Sequence, residues 1–194
     1  MNMTTIASNM QAVRDAIDAA ARAAGRNAQD VKLLAVSKTF PAEDIRAAYA
    51  AGQRCFAENY VQEGTGKIAA LKDLQIEWHF IGPIQSNKTR PIAENFSWAH
   101  SIERLKVAER LSAQRPESLP PLQVCIEVNI SGEASKSGVA PNEVGALAQT
   151  VATLPRLKLR GLMAIPQPDS NTVQQHAAFA QLLSLIHISE PTRH

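Results

Sequence analysis

Six apolar runs punctuate this chain of 194 residues, beginning near Leu33, Cys55, Glu77, Trp98, Gln123 and Leu157. Their starts lie 21 to 34 residues apart. Helical patterns fill the gaps: about 4 to 24, then Pro41 to Ala51, Tyr60 to Leu71, Asn87 to Glu94, Glu103 to Gln114, Pro141 to Thr153, and Thr172 onward. Strand, helix, strand at such intervals is the signature of repeated βαβ units and a parallel sheet, the α/β class. Two arrangements satisfy it, an open doubly wound sheet and a closed eight-stranded barrel. No Gly-x-Gly-x-x-Gly loop follows the first strand, which weakens the dinucleotide-binding version. Neither a low-complexity linker nor a second domain is evident.

The C-terminal ends of the runs favour the barrel. In order they present Ser37-Lys38, Glu58-Asn59, His79, His100-Ser101, Asn129 and Met163. Loops above barrel strands converge on one site, so polar groups at nearly every strand end suit a barrel mouth. Taken singly these residues have plainer explanations. Asn59 or Ser101 could cap the next helix, and His79 could be a satisfied core histidine. Lys38 carries the most chemistry. It ends the apolar run Leu33 to Ser37, read as a short buried strand, and burial disfavours an ammonium, leaving an amine able to attack a carbonyl. The plainer alternative is a lysine whose stem packs on the core while its head reaches water.

The bulk properties exclude several classes. A 45% hydrophobic, 20% charged chain of this length suits one globular domain with a sizeable core. A net charge of +2, with basic residues scattered, argues against nucleic acid as a partner. The N-terminus lacks an apolar signal core, and no stretch is long enough to span a bilayer. Cys55 and Cys125 fall inside predicted strands and read as small buried apolar residues in a reducing, cytoplasmic compartment.

The motifs at these strand ends resemble those of the pyridoxal-phosphate homeostasis family of the YggS/PROSC type. They run Leu34-Ala35-Val36-Ser37-Lys38-Thr39, Phe56-Ala57-Glu58-Asn59-Tyr60-Val61-Gln62-Glu63, and Trp78-His79-Phe80-Ile81-Gly82-Pro83-Ile84-Gln85-Ser86-Asn87-Lys88. His100-Ser101-Ile102, Val128-Asn129-Ile130-Ser131, Lys136-Ser137-Gly138 and Gly161-Leu162-Met163-Ala164-Ile165 follow in order. The resemblance covers residues 6 to about 182. It implies a TIM-type (β/α)8 barrel like the N-terminal domain of alanine racemases, holding pyridoxal 5′-phosphate as a Schiff base on Lys38. Asn59, His79, Ser101 and Met163 match positions that line the cofactor pocket, orienting and packing the ring. No catalytic residue and no metal ligand is implied. Lys136 is a second conspicuous lysine, either a loop residue over the mouth or a cofactor contact.

The family is regarded as binding, buffering and delivering the cofactor inside the cell rather than turning over substrate. Its partners would be pyridoxal phosphate and the apo-enzymes that receive it, with the protein a monomer or weak dimer. A racemase also needs a second base, supplied in related enzymes by an additional β domain, and no such domain is evident. An amino-acid racemase or transaminase is the rival from the enzyme class. A Schiff-base aldolase is another, but the Trp-His-Phe-Ile-Gly and Glu-Asn-Tyr motifs do not point there.

Only six strands can be counted, so the barrel is expected to be incomplete, with strands one and six as open edges. Residues 1–182 read as a partial cofactor-binding barrel. Residues 183–194, from Leu183 to His194, match nothing in the resemblance and read as a non-native tail of sequencing-adapter origin. Barrels of this type bind phosphate beyond strands seven and eight. A chain without them is expected to hold the cofactor weakly and to aggregate.

Overall fold

The computed structural model describes residues 3–132, 137–166 and 171–189. Six strands alternate with helices along it. They are β1 (Ala35–Val36), β2 (Cys55–Glu58), β3 (Glu77–Phe80), β4 (Trp98–Ile102), β5 (Leu122–Glu127) and β6 (Leu157–Met163). The helices are α1 (Met3–Ala23), α2 (Ala42–Ala50), α3 (Val61–Ala70), α4 (Thr89–Asn95), α5 (Leu105–Gln114), α6 (Val144–Thr153) and α7 (Thr172–Ser189). The strands are hydrogen-bonded in chain order, β1 to β6. The β1–β2, β4–β5 and β5–β6 pairs are parallel. This is the βαβ alternation expected from the spacing of the apolar runs. The chain divides into two compact units, Met1–His79 and Phe80–His194.

In the first unit β2 is buried along its whole length, as a strand covered on both faces must be. Phe56 of β2 and Trp78 of β3 set their rings 6.1 Å apart. Ile45, Ala47 and Ala48 of α2 are buried. Buried Gln53 ties the loops together, donating from Nε2 to the carbonyls of Leu33 and Cys55, each at 2.8 Å. α1 is bonded to the C-terminal end of α2 by Arg14 Nη1, which donates to Ala51 O at 3.0 Å.

One expectation needs correction here. The run Leu33 to Ser37 is not a buried strand. Only Ala35 and Val36 are in strand geometry, Val36 is 46% exposed, and of the five residues Ser37 alone is buried. β1 stands at the end of the strand order and, among the described residues, pairs only with β2. Apolar side chains in such an edge strand lack a second neighbour to cover them.

The second unit is built around β4 and β5. Phe80 and Phe96 meet edge to face at 5.4 Å. Ile102, Val107, Ala108, Leu111, Val124 and Ile126 are almost wholly buried. Arg115 is buried yet satisfied, its guanidinium donating to the carbonyls of Ala93, Phe96 and Pro120. A further cluster joins Ile126, Val128, Val144, Ala148 and Leu185. Leu185 places part of α7 against β5 and α6. Lys136, Gln167 to Ser170 and residues 190–194 lie outside the described residues.

Candidate functional site

Six residues singled out in the sequence lie within two positions of the C-terminal ends of their strands. Lys38 is two past β1, Asn59 one past β2, and His79 and Ser101 penultimate in β3 and β4. Asn129 is two past β5, and Met163 closes β6. The β1–β2 register pairs Val36 with Ala57, so extending it by two brings Lys38 level with Asn59.

Lys38 is exposed, which corrects the desolvation expected from the sequence. Among the described residues the buried lysine is Lys67 of α3, and it organises the ground on which Lys38 stands. Lys67 Nζ donates to Ser37 O at 2.6 Å, to Glu58 Oε1 at 2.8 Å and to Glu63 Oε1 at 2.6 Å. Ser37 Oγ also donates to Glu58 Oε1, at 2.6 Å. On the far side of Lys38, the Thr39 N–H donates to Glu63 Oε1 at 2.6 Å. Thr39 has φ +66°, a left-handed conformation that a β-branched residue adopts only when its surroundings hold it there. Both neighbours of Lys38 are thus fixed by one network anchored on buried Lys67, while the Lys38 side chain is exposed to reach a ligand. The hydrogen bond from Lys67, with that from Thr39, holds the Glu63 carboxyl below the usual carboxylate range.

Two polar atoms at the end of β2 stand out. Glu58 Oε2 and Asn59 Oδ1 are buried, and neither has a hydrogen-bond partner among the described residues. Buried acceptors are seldom left without a donor, so such a pair is what a ligand's polar edge would satisfy.

His79 is 3% exposed and its Nε2 lies 3.0 Å from Glu77 Oε1. Glu77 also accepts from Lys32 Nζ at 2.6 Å and from Cys55 Sγ at 3.5 Å. Burial pushes the Glu77 carboxyl up, but the hydrogen bonds from Lys32 and His79 prevail and hold it at about 2. Burial lowers the affinity of His79 for a proton despite the neighbouring carboxylate, favouring the neutral imidazole.

In the second unit Ser101 is buried and its Oγ donates to Gly82 O at 2.5 Å. Met163 is half-buried, and its carbonyl accepts from Val128 N at 2.8 Å. Asn129 Oδ1 accepts from Ser131 Oγ and Gly132 N, closing the turn after β5. The glycine of the Lys-Ser-Gly motif has a steric reason. Gly138 has φ +106°, and a Cβ there would lie 2.7 Å from Asn129 N and 2.8 Å from the Val128 carbonyl carbon. That close approach lets Val139 bridge to Val128. Beside it, burial first and the nearby Glu103 carboxylate second raise Glu127 to about 7.

Lys67 and the Lys32–Cys55–Glu77 contacts were not anticipated from the sequence. Glu63 and Lys67 stand four apart on a predicted helix, which is a legible ion-pair signal. The other cluster draws its members from three separate segments and leaves no local pattern.

Comparison with known proteins agrees with this geometry. The family model described as alanine racemase, N-terminal domain, matches residues 8–194. An alanine racemase from Corynebacterium glutamicum superposes with a TM-score of 0.67 at 18% identity, covering 96% of this chain and 50% of that one, a likeness of fold. The class is therefore the alanine racemase N-terminal type, a TIM-type fold represented here by six strands and their helices. A pyridoxal phosphate homeostasis protein from Pseudomonas aeruginosa is 62% identical over 184 residues, covering 95% of this chain and 80% of that protein. PipY of Synechococcus elongatus, solved with PLP bound, is 34% identical with a TM-score of 0.81, covering 95% and 81% of the two chains. The chain belongs to the pyridoxal phosphate homeostasis protein family.

Proposed function

We propose that this chain binds pyridoxal 5′-phosphate as a Schiff base on Lys38 and serves the intracellular homeostasis of that cofactor as a non-catalytic carrier. The observation that carries the reading is the fixing of Ser37 and Thr39 around an exposed Lys38. The bound group supplies an aldehyde that condenses with a primary amine. Lys38 offers that amine from a rigid backbone, and preorganisation of this kind spares the cost of ordering the loop on binding. Asn59 and Glu58 offer the buried acceptors without donors, the feature that fits a polar ligand edge. Ser101 and Met163 hold their strand ends through the hydrogen bonds to Gly82 and Val128. His79 acts in this reading from within its contact to Glu77, by packing and orientation.

The relatives support this choice. The P. aeruginosa protein is named for pyridoxal phosphate homeostasis, and PipY was solved with PLP bound. Among the described residues no helix is long and apolar enough to cross a membrane, in keeping with a cytoplasmic carrier. Its partners in this proposal are the cofactor and the apo-enzymes that take it up, with the carrier a monomer or weak dimer. An absorbance titration with pyridoxal phosphate tests the binding. A near-visible Schiff-base band that Lys38→Ala abolishes is expected, and a band that survives this substitution would overturn the assignment. Incubation of the loaded protein with L-amino acids tests the carrier role, since appreciable racemisation or transamination would replace it with the enzyme reading.

A further inference from the structure

We propose that Cys55, Glu77 and His79 form a zinc-binding site whose cation position is held at rest by the Lys32 ammonium. One ligand atom from each of the three residues lies within 4.8 Å of the other two. The Glu77 Oε1 to His79 Nε2 distance is 3.0 Å and the Glu77 Oε1 to Cys55 Sγ distance 3.5 Å. Tetrahedral zinc, with bonds of about 2.0 to 2.3 Å, spaces its ligands at roughly 3 to 4 Å, which both separations from Glu77 already match. All three come from strands. Cys55 opens β2, while Glu77 and His79 alternate on β3 and therefore face the same way. Cys55 and His79 are buried, and thiolate, imidazole and carboxylate together suit zinc rather than calcium or magnesium.

Lys32 explains how such a cluster rests without a metal. Its Nζ lies 2.6 Å from Glu77 Oε1, where a cation belongs, yet its side chain is 59% exposed and can swing into solvent. The exchange balances in charge. The resting site holds one carboxylate, one ammonium, a neutral thiol and a neutral imidazole. When zinc enters, the ammonium moves to water and the thiol releases its proton. The dication is then neutralised by the thiolate and the carboxylate, with His79 as a neutral third ligand and a fourth position open to water. No redox partner is needed.

The test uses the full chain freed of metal by a chelator and requires no cofactor. Zinc is titrated against a chromophoric zinc indicator, and cobalt(II) serves as a spectroscopic probe. One equivalent is expected to bind, releasing about one proton, with a thiolate-to-cobalt charge-transfer band in the near ultraviolet. Cys55→Ser should abolish that band, and Cys55→Ser and His79→Gln should each weaken zinc binding at least tenfold. Lys32→Met should strengthen it at least tenfold by removing the tethered competitor, an effect that no ordinary hydrogen-bond network would give. A cobalt spectrum without a thiolate band, or unchanged zinc affinity in Lys32→Met, would overturn the proposal. The wild-type cobalt spectrum decides even if a ligand variant fails to fold.

Discussion

Lys67 Nζ donates to the Ser37 carbonyl at 2.6 Å, so α3 is bonded to the end of β1 one residue before Lys38. The two lysines divide the labour. Lys67 is buried and held by two carboxylates and a carbonyl, whereas Lys38 is exposed and able to react. Their substitution should therefore have opposite signatures.

Lys67→Met leaves Glu58 as a buried carboxylate without its cation, and a buried pair broken on one side costs about 3–5 kcal/mol. Denaturant unfolding should show a loss of that order. Lys38→Ala should change stability by less than about 0.5 kcal/mol, as surface substitutions do, while removing the Schiff-base band.

Glu63→Gln separates positioning from folding. The carboxylate of Glu63 accepts from both Lys67 and the Thr39 N–H, and a neutral amide holds Thr39 less firmly in its left-handed conformation. Stopped-flow absorbance should show slower Schiff-base formation on Lys38. The affinity for pyridoxine 5′-phosphate, which lacks the aldehyde, should stay within twofold. Equal losses in both would show that Glu63 merely supports the fold.

Gly138→Ala should be among the most damaging conservative changes in the second unit. Its new Cβ would meet backbone atoms of Val128 and Asn129, which cannot move aside without breaking the end of β5. Strained backbone and overpacking together cost on the order of 2–4 kcal/mol, readable in a thermal melt.

Glu127 makes stability depend on pH with a definite sign. Its folded value of about 7 stands above the 4.5 of an ordinary glutamate, so across that interval the folded chain binds more protons than the unfolded one. Stability should therefore fall as pH rises from about 4.5 to 7. Discounted for solvent screening, the change is about 2 kcal/mol. Glu127→Gln should flatten this dependence in denaturation curves taken at successive pH values.

The strands and helices were legible because the apolar runs are short and regularly spaced. Five of the six strands begin at or within one residue of the start of their runs, as Cys55, Glu77, Trp98 and Leu157 show. β1 is shorter and more exposed than its run suggests, since an apolar run looks the same whether one neighbour covers it or two. The strand-end positions of Lys38, Asn59, His79, Ser101 and Met163 were legible for the same reason as the strands. The support for Lys38 was not. Burial of Lys67 depends on which face of α3 meets β1 and β2, and the Glu77 cluster on side chains meeting across strands, neither of which a linear pattern encodes.

The placing of the two cysteines has a practical consequence. Cys55 and Cys125 are both free and buried, one in each compact unit. Burial pushes the Cys125 thiol up to about 11 and raises that of Cys55, so at neutral pH neither reacts readily until the structure around it opens. The chain thus carries a built-in pair of clocks. The rate at which each thiol is alkylated reports how often its own unit opens, and unequal rates would reveal which half of the molecule lets go first.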